Sequence, residues 1–297
     1  MLEKKILTNF KHPNIVDLIG TFQDEDSLFF VLEFCKQGDL FGLISTLGKL
    51  PMELVKAYGA QIVTALEYIH ANKIFHRDLK PQNIMLSDDL MLKLIDFGDS
   101  HMVDEKDVKE EVEKLEAEDE LENGGFVEFR AHDSDEETES SPHYRGTFVG
   151  TPLYVAPEML KETISGHFTD LWALGCILFE MATGDVPFRG DTDYATFELI
   201  MDRAVVFPDG FDPDLKDMIK RLLHLDPIRR LGAGEPGSGN TYEELKGHAF
   251  FESIDWSTIS SDLGVPTSMI KEAKEKLEAK KKKIREDIFS DSAKPEE

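Results

Sequence analysis

Cysteine is scarce in this sequence, with Cys35 and Cys176 the only two in 297 residues. That argues against a disulfide framework and suits a reducing compartment. Positive charge is scarce as well. There are 33 Lys and Arg against 59 Asp and Glu, a formal net charge of −26. A nucleic-acid binder needs a dense cationic surface to hold phosphate backbones, so this balance argues against one. It leaves open catalysis on a small anion, for which a few local cations suffice. Long apolar runs are also missing. The longest, residues 171–179, has nine residues, against the ~20 that a membrane-spanning helix needs. The opening MLEKKILTNF lacks the apolar stretch of a secretory signal. What is present is 41% hydrophobic and 31% charged residues, enough for a sizeable core. The length suggests roughly two domains or lobes. The expected setting is the cytoplasm, with the nucleus as an alternative.

Patterning sets out the elements. Leu2, Ile6, Leu7 and Phe10 share one side of a short amphipathic helix over residues 1–11, which Pro13 closes. β-type runs at 15–22 and 27–34 flank the polar turn Gln23-Asp24-Glu25-Asp26. Val55, Tyr58, Ile62, Leu66 and Ile69 have helical spacing over residues 52–72. Short β-type pieces follow at 84–86 and 92–95, then helices near 170–182, 193–205, 213–223 and 240–247, and a charged helix over 266–287. Within that last helix Lys280 to Lys283 form a basic quartet set among glutamates, which reads as a solvated face. The fold class is α+β, a few strands first and then a mostly helical body, without internal repeats. Between Asp104 and Glu139 there are 17 acidic and 4 basic residues, a net of −13. Such a run cannot bury enough apolar surface to offset its ordering entropy, so disorder is the expectation there.

The chemistry is carried by His76-Arg77-Asp78-Leu79-Lys80-Pro81-Gln82-Asn83, then Asp96-Phe97-Gly98, then Ala156-Pro157-Glu158. In this order they resemble the catalytic-loop, metal-binding and activation-segment motifs of the eukaryotic protein kinases. The resemblance implies a two-lobed fold and phosphoryl transfer from ATP with Mg²⁺ to protein substrates, where positioning and charge neutralisation do most of the catalysis. It also implies roles residue by residue. Asp78 would accept the proton of the attacking hydroxyl. Lys80 would face the γ-phosphate as charge moves to the leaving oxygen, and points to the Ser/Thr class. Asn83 and Asp96 would offer oxygens to Mg²⁺. His76 and Phe97 would stack as structural parts. Arg77 would pair with a phosphate on Thr147, and Thr151 would hydrogen-bond near Asp78 and Lys80. Glu158 with Arg230 would form a buried ion pair, and Asp170 would hold the catalytic-loop backbone. Leu32, Glu33, Phe34 and Cys35 fall where backbone groups of a hinge bond adenine. Asp39 falls at the ribose and Met85 under the purine.

Within the kinases, several stretches are similar to the phosphoinositide-dependent branch of the AGC group. They are His12-Pro13, Thr21-Phe22-Gln23-Asp24, Leu66-Glu67-Tyr68-Ile69-His70, Thr147-Phe148-Val149-Gly150-Thr151, Arg230-Leu231-Gly232 and Lys246-Gly247-His248-Ala249-Phe250-Phe251. The similarity runs from Glu3 to about Trp256. It implies a serine/threonine kinase acting on activation loops of other AGC-type kinases. Their C-terminal hydrophobic motif would dock in a pocket edged by Lys4, Gln23 and Leu28. Glu3 matches the regulatory-helix glutamate. The family's Gly-rich loop and strand lysine do not precede it, so roughly forty to fifty residues of the family's small lobe are expected to be missing. The expected layout is therefore a partial small lobe over 1–34 and a large lobe over 35–256, with the acidic insert at 102–143. A charged tail follows over 257–297, with no lipid-binding domain evident. Ser134-Asp135-Glu136-Glu137 has the pattern of an acid-directed phosphosite. The literal G-x-G-x-x-G at Gly232, Gly234 and Gly237 follows a helix and an Arg pair and contains Pro236, so its context is that of a surface loop. A non-catalytic interaction protein is the alternative, motivated by the missing phosphate grip.

Overall fold

The computed structural model describes residues 2–102, 153–161 and 165–291. The acidic run, the Ser134 pattern, Thr147 and Thr151 lie outside the described residues. Helix α1 (Leu2–Asn9) buries Ile6 and Leu7. It stops two residues short of the expected end, because Pro13 offers no N–H and biases its neighbour away from helix. Strands β1 (Leu18–Gln23) and β2 (Leu28–Leu32) pair antiparallel with Phe22 opposite Phe29. Their reversal is fixed by Asp24, whose carboxylate accepts the N–H groups of Asp26 and Ser27 at 3.0 and 2.7 Å. Leu18, Phe30 and Leu32 of this ribbon pack on the core. Ile19, Phe22, Phe29 and Val31 are exposed.

Next come β3 (Gly38–Asp39) and α2 (Leu40–Leu47), which the sequence reading did not anticipate. Asp39 caps α2 by accepting the Gly42 N–H at 2.6 Å, and Gly48 at φ +80° ends it. The scaffold's axis is α3 (Met52–Ala71), whose Val55, Tyr58, Ile62, Leu66 and Ile69 are all buried. Strand β4 (Ile74–Phe75), β5 (Ile84–Leu86), β6 (Leu92–Leu94) and β7 (His101–Met102) follow. They form a β3-β5-β6 sheet and a β4-β7 pair, antiparallel throughout. Buried Gln61 on α3 accepts the Leu92 N–H at 2.9 Å and donates to Ile259 O at 2.7 Å. Asn14 donates to Leu92 O from the other side. Together they pin β6, and with it the segment leading to Asp96.

The helical body holds α4 (Pro157–Leu160), α5 (His167–Thr183), α6 (Asp193–Met201), α7 (Pro213–Leu222) and α8 (Tyr242–Lys246). Helix α5 is buried along nearly its whole length and packs on α3 and α7. It starts three residues earlier than the apolar pattern suggests, because the Thr169 hydroxyl accepts the Gly166 N–H at its entrance. Gly184 ends it at φ +84°, where any Cβ would run into the Gly48 carbonyl, so two helix ends meet glycine to glycine. Helix α6 stops at Met201 instead of near 205, since Arg203 turns to φ +51°. No helix among the described residues is long and apolar enough to cross a membrane.

The charged helix expected over 266–287 is α9 (Thr267–Asp291), and it is docked along one side. Ala273 and Leu277 are buried, and α9 packs on α2. That contact carries Lys281 Nζ to the Lys36 carbonyl at 2.9 Å and Lys280 Nζ to Ser45 Oγ at 3.1 Å. Lys282 and Lys283 remain exposed. Leu277→Ala is expected to cost about 2–4 kcal/mol of docking. Hydrogen exchange should then accelerate along α9 and stay slow in α5; equal protection in both proteins would show that Leu277 is not the anchor.

Candidate active site

The site is organised from the first turn of α5. Asp170 lies there with its side chain 1% exposed. Its Oδ2 accepts the His76 N–H at 2.8 Å and the His70 Nε2–H at 2.8 Å, and its Oδ1 accepts the Arg77 N–H at 2.8 Å. Burial pushes this carboxyl up. The hydrogen bonds from His70 and the His76 amide, beside the two histidine rings, outweigh burial and hold it below the usual carboxylate value. Arg77 sits at φ +65°, a conformation that costs a residue with a Cβ about 1–2 kcal/mol. The bonds from its own amide and from that of His76 keep it there.

The strained turn brings Asp78 to an open position, with its side chain 32% exposed. Lys80 Nζ lies 2.7 Å from Asp78 Oδ2. The Asn83 amide nitrogen donates to Asp78 O at 2.9 Å and Asp78 Oδ2 at 2.8 Å. Pro81 opens the 3₁₀ turn Pro81–Asn83 that brings Asn83 back onto the loop. One Asp78 oxygen is held by two donors, and the other, Oδ1, has no hydrogen bond among the described residues. Asn83, with its nitrogen turned to Asp78, presents Oδ1 as an acceptor. The Ile95 N–H donates to Asn83 O at 3.0 Å, so the β5–β6 hairpin sets Asp96 next to Asn83. Asp96 is exposed at φ +64° and accepts the Gly98 N–H at 3.2 Å.

Phe97 is fully buried and tilts against the His76 ring at 5.1 Å, while His76 Nε2 meets the Ile95 carbonyl at 3.0 Å. Glu3 reaches this corner from α1. Burial, then the Asp96 charge, push its carboxyl up, and the Phe97 amide draws it part of the way back. The Arg77 side chain donates to Asp99 O at 2.8 Å and points to Ser165 Oγ at 3.5 Å.

The residues read as nucleotide contacts are brought close together. Asp39 and Met85 are cross-strand partners in the β3-β5 pair, although they are 46 positions apart. Asp39 has a second task that sequence did not indicate, the α2 cap. The Glu33 N–H already donates to Asp17 O at 2.9 Å, and its carboxylate pairs with Lys93 at 2.8 Å. Leu32 faces the core, Phe34 is exposed and Cys35 is buried. Burial, then the Glu33 charge, push the Cys35 thiol up. Gln23 and Leu28 face each other across β1 and β2, and Lys4 is exposed on α1.

Glu158 and Arg230 make a bidentate pair at 2.6 and 2.6 Å, with exposures of 5% and 0%. Arg230 also donates to Phe168 O and His224 O at 2.9 Å each and stacks over Trp172 at 5.0 Å. The loop carrying Gly232, Gly234 and Gly237 is tied by the Asn240 side chain to Ile228 O and Arg230 O, with its tip exposed. Sequence reasoning attached no role to His70; its partner lies 100 positions away, and spacing carries no signal of that contact.

No group of three or more His, Cys, Asp or Glu able to hold a metal exists among the described residues. The oxygen donors are the Asn83 amide and the Asp96 carboxylate. Mg²⁺ keeps several waters and binds through one or two carboxylates plus phosphates, so this sparse set fits an ion that arrives with a phosphate ligand.

A family model described as protein kinase domain matches residues 1–116 and 130–251. The chain is 38% identical over 265 residues to 3-phosphoinositide-dependent protein kinase B of Dictyostelium discoideum, covering 89% of this chain and 25% of that protein. It is 37% identical over 260 residues to 3-phosphoinositide-dependent protein kinase 1 of Arabidopsis thaliana, covering 88% and 47%. It is 35% identical over 257 residues to the Homo sapiens protein of that name, covering 86% and 40%. The chain thus spans between a quarter and about half the length of these relatives.

Two expectations follow for the scaffold of the site. Arg230→Met removes the guanidinium from a buried carboxylate and should lower stability by about 3–5 kcal/mol in urea unfolding; a loss below 1 kcal/mol would show that the pair is not a structural staple. His167 packs against His70 and Phe75. Its burial, then the neighbouring His70, push its pKa down to about 4. The unfolded chain protonates near pH 6.5, so stability present above that value is lost as pH falls toward 4. His167→Gln should flatten the stability profile over that window, and an unchanged slope would assign it to other groups.

Proposed function

The chain belongs to the protein kinase domain family, and from that premise we propose that it is a serine/threonine kinase. It would transfer the ATP γ-phosphate to a protein hydroxyl, with activation loops of other AGC-type kinases as substrates in cytoplasmic or nuclear signalling. The single observation that carries the reading is the Asp78–Lys80–Asn83 arrangement. One Asp78 oxygen is held by two donors and the other has no hydrogen bond among the described residues. A carboxylate fixed in that way can orient an incoming hydroxyl and take its proton without first reorganising. The Lys80 ammonium, 2.7 Å from Asp78, puts positive charge beside the position the hydroxyl would occupy, where phosphoryl transfer needs it. Asn83 Oδ1 and Asp96 would hold Mg²⁺, which neutralises charge on the phosphates when bound. Main-chain groups around Glu33 and Cys35, with Leu32, Asp39 and Met85, would frame the nucleoside.

The names of the similar proteins support the branch, and the Asp96 charge felt by the Glu3 carboxyl supports α1 as the regulatory helix. Arg77, which reaches Asp99 and Ser165, would receive a phosphate placed on Thr147, and Thr151 would join the Asp78–Lys80 pair.

The test uses the native protein at its natural length, with radiolabelled ATP and an activation-loop peptide of an AGC-type kinase. Transfer is expected, and Asp78→Asn should reduce kcat by about 10²–10⁴-fold. Stoichiometric capture of the kinase partner with no transfer by the unaltered protein would reject the enzyme reading in favour of an interaction protein.

A further inference from the structure

Asp170 does not end the hydrogen-bond chain that begins at the loop backbone. Its Oδ2 accepts the His70 Nε2–H at 2.8 Å, and His70 Nδ1 lies 2.6 Å from the Tyr242 hydroxyl. The three side chains come from α5, α3 and α8, with Tyr242 172 positions from His70. The imidazole has both nitrogens occupied and is 5% exposed. Its faces and edges are closed by Phe75, His167 and the Tyr242 ring, each with its centroid 5.9 Å away.

We infer that His70 and Tyr242 are positioning residues for the loop that carries Asp78, forming with Asp170 a directional relay from α8 to the His76 and Arg77 amides. This rests on the kinase reading for its consequence in catalysis, though not for its structural content.

The direction follows from donor chemistry. An ionised Asp170 can only accept, so His70 Nε2 carries a hydrogen, and the Nε2–H tautomer offers Nδ1 as a lone pair. The Tyr242 hydroxyl is then the donor. Burial holds its pKa far above the ordinary phenol value, so it stays protonated. The chain therefore reads Tyr242 O–H to His70 Nδ1, then His70 Nε2–H to Asp170 Oδ2. Asp170 in turn accepts the His76 N–H at that oxygen and the Arg77 N–H at Oδ1.

The hydroxyl locks one tautomer and one ring orientation, and so fixes where Asp170 Oδ2 must lie. That matters at Arg77, whose φ of +65° is strained and held by the same carboxylate. Release of the far end should loosen the turn immediately before Asp78. Tyr242 could instead be only a packing residue of α8. In that case loss of its hydroxyl would leave the His76 and Arg77 amides untouched.

The experiment uses the full chain labelled with ¹⁵N-histidine, alongside Tyr242→Phe. In the unaltered protein His70 is expected as the Nε2–H tautomer, with Nδ1 showing the shift of a hydrogen-bond acceptor. Tyr242→Phe should abolish that shift and accelerate amide exchange at His76 and Arg77 by about fivefold, the worth of one typical hydrogen bond. Exchange in the centre of α5 should stay unchanged. An Nδ1–H tautomer in the unaltered protein overturns the inference, and this measurement decides the matter even where the variant does not fold. Unchanged exchange at both amides in a folded Tyr242→Phe protein overturns it as well. Neither readout needs turnover, so they stand apart from the fate of the kinase reading. In an active preparation the variant should lose about three- to fivefold in kcat with KM for ATP unmoved. A change confined to KM would contradict positioning.

Discussion

The architecture of the site hangs on one buried carboxylate. Asp170 is placed by the first turn of a helix that is itself sunk in the core, and it receives two main-chain amides and an imidazole. Leaving a charge in such a place without partners would be costly. With three donors it becomes the point from which the loop geometry is set. Hydrogen bonds to a charged acceptor are each worth about 1.5–3 kcal/mol, which exceeds the roughly 1–2 kcal/mol that the left-handed Arg77 costs. The backbone therefore stays in an otherwise disfavoured turn, and Asp78 is presented outward as a result.

The second buried charge pair works on another part of the chain. Arg230 spends its guanidinium on Glu158, two carbonyls and the face of Trp172. Full use of a planar donor fork is what makes a buried arginine tolerable. Its partner residues come from α4, from the start of α5 and from the turn after α7. The pair thus fixes the position of α4, while Asp170 fixes the 76–80 loop from the same helix α5. Both ion-based knots reach helix α5, one through Asp170 itself and the other through the Phe168 carbonyl and the Trp172 ring.

Several elements could be read without coordinates. Helix α3 was legible because its apolar residues recur at helical spacing over twenty positions, and β1 and β2 because Asp24 and its neighbours spell a turn. Helix α2 was not legible. Its start depends on an Asp39 cap whose strand partner, Met85, lies far along the chain. The docking of the helix that carries Lys280–Lys283 was not legible for a related reason. Its i,i+4 glutamates describe a solvated helix accurately, but Ala273 and Leu277 bury one side and deliver two of the lysines to acceptors on a distant segment.

By itself the sequence determined the chemical inventory and its order: a base candidate, a lysine two residues on, an amide and a carboxylate for oxygen ligation, and an α+β chain to carry them. Those properties are local, written in residue types and short spacings. Which atoms meet was decided only by the tertiary structure. Asp170 reaching back across some ninety positions to the loop amides, Asn83 turning its nitrogen rather than its oxygen to Asp78 and His70 sitting between two side chains of other helices all depend on close packing. Hydrogen bonds act over less than 3.5 Å and depend on angle, so no pattern of spacing along the chain can specify them.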